Sequence, residues 1–255
     1  MYHSERRGVG KPAPHGTWKP ATVVVMGLGE GFRMPFVDHA RREMRFKVVY
    51  YGPGLGGKTT NLEFIHAHTR PELRGKLLTL EDSAERTLFF DLLPVELGAY
   101  RGYDLRVHLC TVPGQIAQNR VRQMVLRHVD GIVMVVDSQR ERLSENHESI
   151  RNLETNLRLQ GDDPARMPMV VQYNKRDLPT AAEVDLLRRE LGVPQGVQQV
   201  PAVATQGEGV FETFKGIIRA SLAVMDDPAE VPGGRTPSLI PGRHTSMFPD
   251  AYPDR

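Results

Sequence analysis

A glycine-rich run at residues 52–59, Gly-Pro-Gly-Leu-Gly-Gly-Lys-Thr, follows an apolar, strand-like segment at residues 47–51. It fits the spacing of a glycine, four residues and then Gly-Lys-Ser/Thr. The residues after it, 60–68, read as the start of a helix. Backbone N–H groups at a helix N-terminus attract anions, and glycines leave room for a polyphosphate to approach the backbone. The run therefore predicts a phosphate-binding loop in an α/β protein.

Two side chains in this loop have predicted roles. We expect Lys58 to reach the β and γ phosphates of a nucleotide, and the Thr59 hydroxyl to be a ligand of Mg²⁺. The alternative is a glycine-rich turn that matches the pattern by chance, which ordinary residue frequencies predict on the order of once in a hundred chains of this length. The predicted nucleotide contacts in this region are Gly52, Gly54, Leu55, Gly56, Gly57, Lys58, Thr59 and Thr60.

Apolar, strand-like runs alternate along the chain with longer amphipathic segments, which is typical of a mostly parallel sheet flanked by helices. The predicted strands are 46–51, 87–93, 103–112, 131–137, 169–174 and 198–203. The connection at 96–102 is too short for a crossover helix, so the second and third strands are expected to form an antiparallel hairpin. The predicted fold is an α/β domain with a mostly parallel six-stranded sheet, one antiparallel strand, and helices on both faces.

Both ends of the chain lack helical or strand periodicity. Residues 1–35 read as a flexible extension and 226–255 as a disordered tail rich in Pro and Gly, which leaves 36–225 as the folded domain. Met34 precedes the domain directly, and we expect it to be the physiological start.

Composition argues against several classes of protein. The formal net charge is only +2, with basic and acidic residues interspersed, so nothing in it favours a nucleic-acid partner. No apolar run approaches the ~20 residues that cross a bilayer, so direct membrane insertion is not expected. The only cysteine, Cys110, lies in an apolar stretch and reads as a buried core residue. A chain without a disulfide framework fits a reducing cytoplasm.

A second motif, Asn174-Lys175-Arg176-Asp177, directly follows the apolar strand at 169–174. Open α/β sheets bind ligands at the carboxyl ends of their strands. The carboxylate of Asp177 can accept hydrogen bonds from N1–H and the exocyclic amino group of guanine, whereas adenine offers neither donor. Alone, the tetrapeptide is equally compatible with a charged turn. Together with the phosphate-binding loop, it predicts a guanine nucleotide.

The two motifs together resemble those of the Ras-like GTPases, whose N-K-x-D motif is matched by Asn174, Lys175 and Asp177. Three runs are more closely similar to the bacterial gliding-motility GTPases of the MglA type: V-Y-Y-G-P-G-L at 49–55, R-T-L-F-F-D at 86–91, and T-V-P-G-Q at 111–115. This resemblance covers roughly residues 36–225.

The resemblance implies roles for further residues. Thr87 falls where the first switch threonine binds Mg²⁺ and senses the γ phosphate, and Gln115 where the second switch glutamine orients the attacking water. Arg86 resembles an arginine finger supplied by the GTPase itself. The alternatives are that Arg86 is a solvated charge at a strand end and that Gln115 is a turn residue. Gly114 falls at the switch hinge.

A third loop is implied after the last predicted strand. Ala204 and Thr205 stand where the superfamily has its third guanine-contacting loop. Because Thr205 replaces the usual lysine, only backbone contact to the base is expected.

The sequence departs from the family pattern at one metal-binding position. Thr111 stands where most of these GTPases have an aspartate that holds Mg²⁺ through water. Asp91, in the neighbouring strand of the predicted hairpin, is a candidate to compensate, although strand register cannot be derived from the sequence.

The resulting functional prediction is a GTP/GDP switch that hydrolyses GTP with Mg²⁺. The resemblance implies a role in bacterial cell polarity and motility, a roadblock-fold (MglB-like) activating partner, and recruitment from the cytoplasm to the cell poles. The expected effector surface comprises residues 71–87 and 115–127. Two alternatives are a nucleotide-binding scaffold with negligible hydrolysis and, more weakly, an ATP-dependent kinase or transport ATPase.

Overall fold

The computed structural model describes residues 36–80, 90–114 and 119–225. Its strands are β1 (Phe36–Asp38), β2 (Glu43–Tyr51), β3 (Leu78–Leu80), β4 (Phe90–Tyr100), β5 (Tyr103–Thr111), β6 (Gly131–Asp137), β7 (Met169–Asn174) and β8 (Gln198–Pro201). Its helices are α1 (Lys58–His68), α2 (Asn119–Leu126), α3 (Leu143–Leu159), α4 (Val184–Glu190) and α5 (Val210–Met225), with short 3₁₀ segments at Pro71–Leu73 and Arg140–Arg142.

The described strands form one sheet in the order β3-β4-β5-β2-β6-β7-β8, with β1 also paired to β2. Strands β5, β2, β6, β7 and β8 are mutually parallel, while β1, β3 and β4 run antiparallel to their neighbours. The predicted α/β fold with a mostly parallel sheet is confirmed. The predicted count of six strands with one antiparallel strand was wrong, because β1 and β3 have only three residues each and so show no readable period.

The antiparallel hairpin predicted for the second and third strands is confirmed as β4–β5. Its turn is much shorter than the predicted connection at 96–102. Arg101 and Gly102 alone connect the strands, with φ angles of 51° and 81°, as a two-residue turn with two left-handed positions requires. A register shift between Glu96 and Gly98 accommodates one extra residue, and this bulge hid the true strand length from the sequence reading.

Helices cover both faces of the sheet because successive residues of β2 point to opposite sides. Val48 and Tyr50 pack in a layer with α1 and α5, while Val49 and Tyr51 pack in a layer with α2, α3 and α4. Strand β6 lies between the two layers, and all seven of its residues are buried. The two layers hold the carboxyl ends of the central strands in fixed relative positions.

The remaining sequence predictions concern the two ends of the chain, membrane insertion and Cys110. The predicted extension 1–35, with the proposed start at Met34, and the predicted tail 226–255 lie outside the described residues. Within the described ranges, no helix combines the length and apolar character needed to cross a membrane. Cys110 is buried as expected, and burial raises the pKa of its thiol to about 11.

Two leucines near the end of α3 provide a matched test of this packing. Leu157 is fully buried and Leu159 is 70% exposed. We expect Leu157→Ala to lower the free energy of unfolding by about 2–5 kcal/mol, because it leaves a cavity in the layer. Leu159→Ala should change it by no more than about 0.5 kcal/mol. Urea titration followed by circular dichroism measures both, and equal losses would contradict the assigned helix face.

Candidate nucleotide-binding site

Loops from four neighbouring parallel strands meet at the carboxyl edge of the sheet. The phosphate-binding loop follows β2, and the N-K-R-D loop follows β7. Asp137 ends β6, and the loop containing Ala204 follows β8. This is the edge at which open α/β sheets bind ligands.

The phosphate-binding loop requires glycine at two closely packed positions. Gly57 caps α1 with φ 96°, and a Cβ there would lie 2.1 Å from Nδ2 of Asn174. A Cβ at Gly52, whose φ is 150°, would lie 2.2 Å from the carbonyl oxygen of Val135. No side chain caps the start of α1, so its first N–H groups are available to an anion.

Lys58 is buried within its own loop. Its Nζ donates hydrogen bonds to the carbonyl oxygens of Gly52, at 3.1 Å, and Pro53, at 2.6 Å. The pKa of Lys58 is lowered to about 7, chiefly because burial disfavours the charged form and also because Arg122 repels it, with Asp91 acting in the opposite direction. Lys58 is therefore placed where an anionic ligand would restore its charge.

The side-chain amide of Asn174 connects two of the loops. Its Nδ2 donates to the carbonyl oxygen of Gly56 at 2.8 Å, and its Oδ1 accepts from the backbone N–H of Ala204 at 2.9 Å. The phosphate-binding loop, the N-K-R-D loop and the loop after β8 are thus held at fixed separations by one residue.

The rest of the predicted guanine-binding loops is partly open to solvent. Lys175 has a left-handed backbone, with φ 66°, and its Nζ lies 2.7 Å from Oδ2 of Asp137. Asp137 is fully buried at the end of β6. Asp177 and Thr205 are exposed.

Three threonine hydroxyls converge on the carboxylate of Asp91. Thr59, the predicted Mg²⁺ ligand, donates to Oδ2 at 2.7 Å, and Thr111 donates to the same oxygen at 2.9 Å. Thr79 donates to Oδ1 at 3.0 Å. The register of the β4–β5 hairpin therefore brings the Asp91 carboxylate beside Thr111, which stands where most of these GTPases have an aspartate.

The structure places only some of the predicted catalytic and phosphate-contacting residues. Arg86, Thr87 and Gln115 lie outside the described residues, so their roles stay predictions. Gly114 packs against the phosphate-binding loop, since a Cβ there would lie 2.3 Å from Cα of Gly54. Leu55 is exposed with φ 61°, and Thr60 is half-buried.

Sequence reasoning missed three charged residues around these loops. Asp137 stands at the carboxyl end of a buried strand, a position that could have drawn attention to it. Arg142 donates to the carbonyl oxygen of Gly54 at 2.9 Å, and Arg122 is fully buried beside Gly114. Neither arginine had a signal in the sequence, because a cation in an amphipathic segment ordinarily faces solvent.

A phosphate-binding loop joined through an asparagine to an N-K-x-D loop, on a mostly parallel sheet, is the arrangement of a Ras-like small GTPase. Residues 36–220 match the ADP-ribosylation factor family. The chain belongs to that family and is a small GTPase. It is also similar to the Mutual gliding-motility protein MglA of Myxococcus xanthus (strain DK1622), with 48% identity over 189 residues that cover 74% of this chain and 96% of the relative.

The lowered pKa of Lys58 predicts that nucleotide binding takes up a proton. Above pH 7 most of the empty protein has a neutral Lys58, and an anionic phosphate favours the charged form. GDP binding at about pH 8 should therefore take up close to one proton, and affinity should fall as pH rises through this range. Calorimetry in buffers of different ionisation enthalpy measures the uptake.

The matched control is Lys58→Arg, which keeps a permanent positive charge and should bind GDP without this uptake. Equal proton uptake in the wild type and this variant, or none in the wild type, would contradict the assignment to Lys58.

Proposed function

We propose that this site binds GTP and GDP through the phosphate-binding loop and the N-K-R-D loop. The observation that carries the proposal is the Asn174 amide, which contacts Gly56 in one loop and supports Ala204 beside the other. Phosphates would contact the N–H groups at the start of α1, and Lys58 would pair with them.

Guanine selectivity is assigned to Asp177. Its exposed carboxylate follows β7 and can accept two hydrogen bonds from guanine, which adenine cannot donate. Backbone groups of Ala204 and Thr205 would border the base. An ATP-dependent kinase or transport ATPase would leave the Asp177 carboxylate without those partners.

The residues around Asp91 fit a Mg²⁺ ion. Among the described residues, no cluster of three or more His, Cys, Asp or Glu side chains could hold a metal. The Thr59 hydroxyl beside the Asp91 carboxylate offers oxygen atoms of the kind that Mg²⁺ takes, and Mg²⁺ in nucleotide sites uses few protein ligands and keeps several waters. We assign Thr59 and Thr87 as the residues that would hold the ion directly, and Asp91 as the carboxylate that orients the Thr59 hydroxyl and would place negative charge beside the ion. Bound Mg²⁺ would neutralise phosphate charge.

The reaction is transfer of the γ phosphoryl group of GTP to water. We assign Gln115 to orientation of that water and Arg86 to stabilisation of the charge that develops on the transferred group. Membership of the family favours this GTPase over a scaffold with negligible hydrolysis.

The cellular role is proposed from the relative, whose name describes gliding motility. We propose that the GTP-bound form acts in cell polarity or motility in the cytoplasm, with recruitment to the cell poles by partners. A roadblock-fold (MglB-like) protein would activate hydrolysis. Effectors would read the surface formed by residues 71–87 and 115–127, which contains both predicted switches.

Base recognition is tested by competition for a fluorescent GDP. GTP should displace it and ATP should not. Asp177→Asn should lose about a hundredfold in GDP affinity, because two charge-assisted hydrogen bonds are removed. The same variant should gain affinity for xanthosine diphosphate, whose C2 carbonyl accepts a hydrogen bond from the new amide. Equal competition by ATP would overturn the proposed guanine nucleotide.

The matched control for that experiment is Asp185→Asn in α4. Its side chain is 83% exposed and pairs with Arg188 on the same helix. It removes the same charge and should leave both nucleotide affinities unchanged.

The proposed metal role of Asp91 predicts a change in Mg²⁺ dependence. Asp91→Asn should raise the Mg²⁺ concentration needed to slow GDP release by about tenfold or more, because the group that orients the metal ligand loses its charge. Asp104→Asn, an exposed change on the same hairpin, is the control. Dissociation rates measured across a Mg²⁺ titration check this, and identical midpoints for all three proteins would refute it.

A further inference from the structure

Arg122 is a buried arginine in α2 whose hydrogen bonds go to neutral acceptors. It is among the largest side chains that are fully buried, and its guanidinium lies 5.1 Å from the centre of the Tyr51 ring. Its Nε donates to the carbonyl oxygen of Pro113 at 3.0 Å, and its Nη2 donates to that of Gly114 at 2.8 Å. Within the described ranges, no carboxylate forms an ion pair with it. A buried charge without a counterion is costly, so its retention needs an explanation.

The guanidinium is anchored by elements outside the Pro113–Gly114 segment. Its Nη1 donates to Oδ1 of Asn152 in α3 at 3.0 Å, and the hydroxyl of Tyr51 in β2 donates to the same oxygen. Asn152 in turn donates to Oδ1 of Asn119 at 2.9 Å. Arg122 is thus held by the sheet and by α3 while its other nitrogens bind two successive carbonyls.

Those two hydrogen bonds determine how a peptide plane is oriented. The carbonyl of Pro113 and the N–H of Gly114 belong to one peptide unit, and the described peptide bonds include none in the cis form. In a trans peptide the C=O and N–H point in opposite directions. Because the carbonyl of Pro113 points toward Arg122, the N–H of Gly114 in the same peptide points away from Arg122.

The side of this segment that faces α3 borders a cavity. Gly114 meets the phosphate-binding loop at Gly54, but a cavity of about 230 Å³ lies between these two glycines and residues of α3 that include Ser149. The hydroxyl of Ser149 is buried without a hydrogen-bond partner. Besides the close contact of Gly114 with Gly54, the hydrogen bonds from Arg122 hold the orientation of the segment.

We propose that Arg122 is a positioning residue through which the site distinguishes a nucleoside triphosphate from a diphosphate. By holding the carbonyls of Pro113 and Gly114, it would turn the N–H of Gly114 away from its own guanidinium, so that this N–H could donate to a terminal phosphate, which a diphosphate lacks. This inference rests on the proposed function, because it requires a nucleotide in the phosphate-binding loop.

The test compares affinities for GDP and for a non-hydrolysable GTP analogue. Arg122→Gln should weaken binding of the GTP analogue by about tenfold to a hundredfold, while GDP affinity changes by less than about threefold. Arg122→Lys keeps the charge but has no fork to bind two carbonyls, so it should lose part of the same preference. Arg120→Gln removes an exposed charge from the same helix and is the matched control.

A merely structural role for Arg122 has a different signature. It would lower the melting temperature and weaken the binding of both nucleotides in proportion. That result, or unchanged affinity for both, would overturn the inference.

If the Arg122 variants do not fold, Asn152→Ala decides, because it removes one anchor of the guanidinium while Arg122 remains. It should weaken binding of the GTP analogue severalfold and leave GDP unchanged, whereas an equal effect on both would overturn the inference. Failure of the wild type to bind GDP would instead overturn the proposed function itself.

Discussion

The side-chain amide of Asn174 sets the spacing of the loops on which the site depends. It accepts from Ala204 and donates to Gly56, and it fills the space beside Gly57 so closely that no side chain fits there. An amide suits this position because it offers a donor and an acceptor from one rigid group. With these loops held together, one ligand can contact the start of α1 and the loop after β7 at once.

Charge distribution around the phosphate-binding loop favours an anionic ligand. Lys58 and Arg122 are both buried, and the pKa of Lys58 is lowered first by its burial and then by the nearby charge of Arg122. The carboxylate of Asp91 opposes this repulsion but also accepts from three hydroxyls. An anion bound at the start of α1 would favour the charged form of Lys58 and so offset the effect of its burial.

Much of the fold and part of the site were readable from local patterns. The phosphate-binding loop and the N-K-R-D loop could be found because each joins a characteristic spacing to a buried strand. The position of Asp91 is an example of what local patterns do not predict. The sequence identified it as a candidate near the predicted Mg²⁺ site, but only the pairing of Leu92 with Cys110 brings it beside Thr111 and Thr59. Register depends on bulges and turns, and the bulge near Gly98 left no clear signal.

By itself, the sequence determined the class of fold, the family and the two motifs that are predicted to bind the nucleotide, because these depend on spacing within short segments. Only the tertiary structure decided that Asn174 joins separate loops and that Arg122 is buried against Pro113. An arginine beside apolar residues in a helix gives the same sequence pattern whether its side chain faces water or a neighbouring carbonyl. The difference lies in contacts between segments distant along the chain, which no local pattern contains.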